Sequence, residues 1–125
     1  METTAADLRA REPGRATIIN VGKHQGPREI RGAIRYKPHD LLAAAHLSLP
    51  IAPDAAVILY DEDGGGDLTA QIAEKLRSQG YADVRTLQGG FKAWEAAGGE
   101  TQEPTLEQVV PPSRPEEAPQ LDRRL

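Results

Sequence analysis

Ala56-Val57-Ile58-Leu59-Tyr60-Asp61-Glu62-Asp63-Gly64-Gly65-Gly66-Asp67-Leu68-Thr69 is the stretch that decides the fold. Residues 57–60 are apolar without alternation, which is how a strand buried on both faces of a parallel sheet reads. Three glycines then free the backbone. Asp67 stands where a helix cap belongs, and Leu68, Ile72 and Leu76 recur at four-residue steps while Gln71, Glu74, Lys75 and Arg77 face outward. A strand, a tight loop and a helix N-terminus in succession bring loop amides and a helix dipole to the carboxyl end of a strand, where open parallel sheets bind ligands. The candidate site residues are therefore Asp61, Glu62, Asp63, Gly64, Gly65, Gly66 and Asp67. Their charge opposes the geometry, because four acids stand there without a Lys, Arg or His. At about 8 Å in water each acid costs a bound anion roughly 0.5 kcal/mol, so four cost about 2 kcal/mol before salt screening.

Upstream, Thr4 is placed to cap a short helix over residues 4–11 that turns Ala5, Ala6 and Leu8 inward and stops at Pro13-Gly14. Residues 17–21 form a strand ended by Gly22, followed by a polar loop with Gly26-Pro27 as its turn. Residues 30–34 give a second short strand around Gly32. Asp40 then caps a helix through Leu41, Leu42, Ala45 and Leu49, closed by Pro50. Downstream, Gln79-Gly80 ends the central helix and residues 84–87 form another strand. Gly89-Gly90 turns the chain into a helix whose Phe91 and Trp94 are core residues, with Tyr81 packed beside them. Strands alternating with helices through short Gly-containing loops imply a right-handed parallel α/β sheet. The expected division is a lead-in at 1–14, a domain at 15–100, and a proline-rich tail at 101–125 with too few apolar residues to order itself.

At 125 residues, one domain is expected, and a net charge of −4 without a basic stripe argues against nucleic acid or anionic lipid as a partner. The chain has no cysteine, which excludes disulfides, thiolate zinc sites and a thiol nucleophile. No apolar run has the length of a signal-peptide core or a membrane span, so a cytoplasmic protein with no membrane partner is expected. No cofactor and no metal are expected. His24, His39 and His46 lie at no ligand spacing, and Ile72 stands where a calcium loop starting at Asp61 would need its closing glutamate. Lys23, Arg28, Arg31, Arg35 and Lys37 form a mildly basic segment read as a solvated loop.

Over residues 15–100 the chain resembles a rhodanese-like (sulfurtransferase) domain. Ile18-Ile19-Asn20-Val21 is similar to the family's first strand, Ile30-Arg31-Gly32-Ala33-Ile34 to its I-P-G-A-I segment, and residues 57–60 to the strand entering the active loop. Most specific is the series Gly80-Tyr81, Val84, Leu87-Gln88-Gly89-Gly90-Phe91-Lys92-Ala93-Trp94, which resembles the family's final Gly-Gly helix. The resemblance implies an α/β fold with about five parallel strands and helices on both faces. It also implies that a cysteine accepting sulfur as a persulfide belongs at the position of Asp61, in a loop with polar donors where this chain carries acids. The family's Asp-Val-Arg is Asn20-Val21-Gly22 here. The loop resembles that of the non-catalytic N-terminal half of tandem rhodaneses.

Two functions follow as expectations. The first is a catalytically inactive rhodanese-like domain acting as a binding or regulatory module for a protein partner, linked to sulfur metabolism. In it, Asp61 accepts the loop amides and fills the vacant anion site itself. The alternative is an enzyme of the phosphatase or hydrolase kind that uses Asp61 or a divalent metal in the acidic loop. Leu59-Tyr60-Asp61-Glu62-Asp63-Gly64 is similar to the Asp-x-Asp-Gly start of haloacid-dehalogenase-type phosphatases, in which the first carboxylate is the nucleophile. The lysine and acidic pair that such enzymes need downstream are not found in this sequence.

Overall fold

The computed structural model describes residues 2–10, 16–22, 26–44, 47, 49, 51–64 and 66–108. In chain order the elements are β1 (Glu2–Thr3), α1 (Ala5–Ala10), β2 (Ala16–Asn20), β3 (Glu29–Ile30), β4 (Ile34–Tyr36) and α2 (Pro38–Ala43). After these come β5 (Ala56–Tyr60), α3 (Asp67–Ser78), β6 (Asp83–Leu87), α4 (Gly90–Ala96), β7 (Thr101–Gln102) and β8 (Glu107–Gln108). The main sheet has the order β1-β6-β5-β2-β4-β8 with every pair parallel, and β3 pairs with β7 in a separate antiparallel ribbon. About five strands were expected, and the sheet has six, because two-residue strands complete both edges.

The unalternating run of β5 has a simple cause. Val57 and Leu59 enter one core, with Ile19, Leu41, Ile72, Leu76 and Val84. Ile58 and Tyr60 enter the other, with Leu8, Ile30, Leu87 and Trp94. Successive side chains point to opposite faces, so a strand covered by α2 and α3 on one side and α1 and α4 on the other must be apolar throughout. Tyr81 belongs to the first of these cores and not beside Phe91 and Trp94 as expected.

Several local expectations change. Thr4 does cap α1, its hydroxyl oxygen accepting from the Asp7 amide at 3.1 Å, and Ala5 and Leu8 are buried while Ala6 is exposed. Residues 30–34 are not one strand: the chain turns at Arg31-Gly32, the Ala33 amide bonds the Ile30 carbonyl, and β3 and β4 join different sheets. Asp40 lies inside α2, where Lys37 is the cap position and Pro38 opens the helix. That helix ends at Ala43, so Leu49 is buried outside it, and Lys75 Nζ donates to the carbonyls of Leu41, Leu42 and Ala44 at its end. Asp67 is the first residue of α3, preceded by Gly66 at the cap. Its carboxylate makes no capping bond and favours the helix through the dipole. Residues 101–108, expected in the tail, contain β7 and β8; residues 109–125 lie outside the described part, as do the Pro13-Gly14 stop, Ala45 and Pro50. No described helix is long and apolar enough to cross a membrane.

Candidate functional site

Asp61 directly follows β5, between β2 and β6, at the carboxyl edge of the sheet. The residue is only 8% exposed. One of its oxygens, Oδ1, accepts from the Gly64 amide, and Oδ2 accepts from the Gly66 amide at 3.1 Å and the Thr69 hydroxyl at 2.7 Å. A loop whose amides point inward is a nest for an anion, and here the nest closes around a carboxylate belonging to the chain itself. Charge-assisted bonds of this kind are about twice as strong as neutral ones. Thr69, from the first turn of α3, was not singled out from sequence. Its only signal is a hydroxyl on the otherwise apolar buried face of an amphipathic helix.

The loop is held from behind by the turn into α4. The Asp61 carbonyl accepts from the Phe91 amide at 2.8 Å and the Glu62 carbonyl from the Lys92 amide at 3.0 Å. A side chain on Gly90 would collide with the Asp61 carbonyl and the Gly64 amide, and one on Gly64, at a φ of 79°, with the Gly89 backbone. Both glycines are therefore required by close backbone approach.

Of the remaining candidate residues, Glu62, Asp63 and Asp67 are exposed, and Gly65 lies outside the described residues. Among the described residues no three His, Cys, Asp or Glu converge as metal ligands. His39 is exposed on α2, and His24 and His46 are outside the described residues. In front of Asp61 is a cleft of about 40 Å³, walled by Asn20, Arg28, Tyr60, Glu62 and Phe91. A water's share of liquid volume is about 30 Å³, and ligand pockets usually start near 300 Å³. The cleft is thus far smaller than an ordinary ligand pocket.

A buried polar group beside the cleft was invisible in the sequence. Arg35, expected in a solvated loop, is 2% exposed and donates to Asn20 Oδ1 at 3.3 Å and to the Gly22 carbonyl. Asn20 Oδ1 also accepts from the Gly22 amide. Tyr60 sits against Phe91, ring centroids 6.4 Å apart, and its hydroxyl accepts from the Ile30 amide at 3.1 Å. Burial raises the Tyr60 pKa well above its ordinary value, and the Glu29 charge pushes the same way.

With this geometry in place, comparison with known proteins is specific. The family described as "Rhodanese-like domain" matches residues 9–97. The crystal structure of an Anabaena sp. protein is 31% identical, with a TM-score of 0.67 over 83% of this chain and 94% of that one. The solution structure of the rhodanese-like domain of an Anabaena sp. protein is 26% identical, with a TM-score of 0.68 over 90% and 92%. A thiosulfate sulfurtransferase of Pseudomonas aeruginosa is 27% identical, with a TM-score of 0.64 over 82% of this chain and 20% of that one. No protein of curated function matches the chain.

Proposed function

The chain belongs to the rhodanese-like domain family, and from that premise we propose that it is a binding or regulatory module, linked to sulfur metabolism, without sulfurtransferase activity of its own. The observation that carries this reading is the Asp61 carboxylate seated in the loop, with both oxygens accepting from Gly64, Gly66 and Thr69. Sulfur transfer through an enzyme-bound persulfide needs a polarisable thiolate, and a carboxylate forms no stable equivalent. The chain has no cysteine to supply one. The link to sulfur metabolism rests on the family and on the sulfurtransferase among its structural relatives. The same hydrogen bonds disfavour Asp61 as a phosphatase-type nucleophile, since both of its oxygens already face donors.

The test is a thiosulfate-to-cyanide transfer assay. The wild-type protein should show no turnover above background, and clear turnover abolished by Asp61→Asn would overturn the reading. Asp61→Cys by itself should recover little, because Glu62, Asp63 and Asp67 disfavour a thiolate and repel an anionic donor. Asp61→Cys with Glu62→Arg and Asp63→Ser should turn over thiosulfate faster, by a margin that shrinks with added salt. Equal rates in the two variants would assign the loss to backbone shape instead of charge.

A further inference from the structure

Residues 28–37 and residues 100–108 meet along their length. The Arg31 amide donates to the Glu100 carbonyl at 3.1 Å, and its guanidinium lies 2.9 Å from the Glu100 carboxylate. Arg28 donates to the hydroxyl and carbonyl oxygens of Thr101. Glu29 accepts from Gln102 Nε2 at 2.7 Å and from the Thr105 amide at 2.9 Å. Arg35 and Lys37 both reach the Glu107 carboxylate, at 3.3 and 3.7 Å. Main-chain pairing of β7 with β3 and of β8 with β4 completes the contact. The groove formed by residues 28–37 thus presents four cations, and the strap of residues 100–108 that lies in it carries three glutamates and no Lys or Arg.

Two observations mark this occupant as displaceable. Glu29 is 1% exposed, yet its Oε1 has no hydrogen-bond partner among the described residues. Closing the strap therefore strips water from a carboxylate oxygen without replacing it, which weakens the closed state. Leu106, the strap's one large apolar residue within 100–108, is 87% exposed, so the hold is polar and not apolar. Exposed ion pairs such as Arg31–Glu100 contribute little and are screened by salt.

We propose that the groove formed by β3 and β4 is a binding site for an acidic, strand-forming segment of a partner protein, and that residues 100–108 occupy it as an internal competitor. A partner strand would repeat the strap's pairing as an added β-strand, place acids against Arg31, Arg35 and Lys37, and gain over the strap by bringing a second donor to Glu29. Displacement also frees the Arg28 guanidinium from Thr101 at the wall of the Asp61 cleft. This rests on the reading of the chain as a binding module and names that module's surface. The sulfur-transfer assay and the test below can fail independently.

Trp94, the chain's only tryptophan, donates its indole N–H to the Glu100 carbonyl at 2.7 Å, so its fluorescence reports strap release. The full chain carrying Gln102→Ala and Glu107→Lys, which weakens the internal strap, is titrated with a synthetic peptide of residues 98–108. Saturable binding is expected, at least tenfold tighter than to the wild type, weakened by salt and absent with a scrambled peptide. Equal binding of the scrambled peptide, or no binding to a variant with a native circular dichroism spectrum, overturns the proposal. Amide exchange on the wild type provides a second measurement if the variant does not fold. The Arg31 amide, held by Glu100, and the Gly32 amide, held by Gln102 Oε1 at 2.9 Å, should exchange at least tenfold faster than amides of β5. Exchange of both only with global unfolding would make the strap part of the core and overturn the proposal equally.

Discussion

The three donors around Asp61 set the cost of removing its carboxylate. In Asp61→Ala the amides of Gly64 and Gly66 and the Thr69 hydroxyl lose their acceptor in a largely buried place. Leaving such groups unsatisfied costs about 1–3 kcal/mol. The emptied nest fits a small carboxylate, so formate or acetate should raise the variant's melting temperature by mass action while leaving the wild type unchanged. A melting temperature flat in both would show that the loop closes over the gap. Tyr60 gives a prediction of a different kind. Burial raises its folded-state pKa above the ordinary tyrosine value of about 10, so its contribution is complete below about pH 10 and is lost as pH rises toward the folded value. Urea midpoints should fall as pH rises above about 10, and Tyr60→Phe should flatten that fall while costing about 1 kcal/mol at neutral pH through the lost acceptor of the Ile30 amide. An unchanged pH slope in Tyr60→Phe would refute the assignment.

At the scale of elements, α2 has six residues, far below the length at which an isolated helix is stable in water. Its end is held from α3, where the Lys75 ammonium meets the carbonyls of Leu41 and Leu42 at 2.7 and 2.9 Å and also that of Ala44. A cation at the negative end of a helix adds to these bonds. Lys75→Met keeps the stem of the side chain and removes the donors. It should cost about 1–2 kcal/mol and speed amide exchange at Leu41 and Ala44, whose amides bond the Lys37 and Asp40 carbonyls. Unchanged exchange at those two amides would mean that packing of Leu41 alone holds the helix.

At the scale of the whole molecule, the strap joins both sheets, since β7 completes the ribbon with β3 and β8 the edge beside β4. Chains cut after Gln108 and after Glu100 differ by residues 101–108, the two strands and the segment that links them. The shorter chain loses the partners of Glu29 and the Glu107 contact of Arg35. It should therefore be less stable by about 2 kcal/mol, or roughly 5–10 °C in melting temperature. Equal melting temperatures for the two chains would show that the strap adds nothing to the fold.

What the sequence determined by itself was carried by local signals. The unalternating run at 57–60, the glycines behind it and the four-residue spacing of Leu68, Ile72 and Leu76 specify a buried parallel strand leading into a helix. Asp61 at the strand's end, in a chain without cysteine, already marked the candidate site. Only the tertiary structure decided the rest. Glu29 meets Gln102 across 73 residues, and Arg35 meets Glu107 across 72. Nothing in the local pattern of a charged segment or a proline-containing tail tells which of its charges will be buried. Burial of an ionic group is settled when distant strands pair and remove water from both partners at once, and that event has no signature in the spacing of either strand.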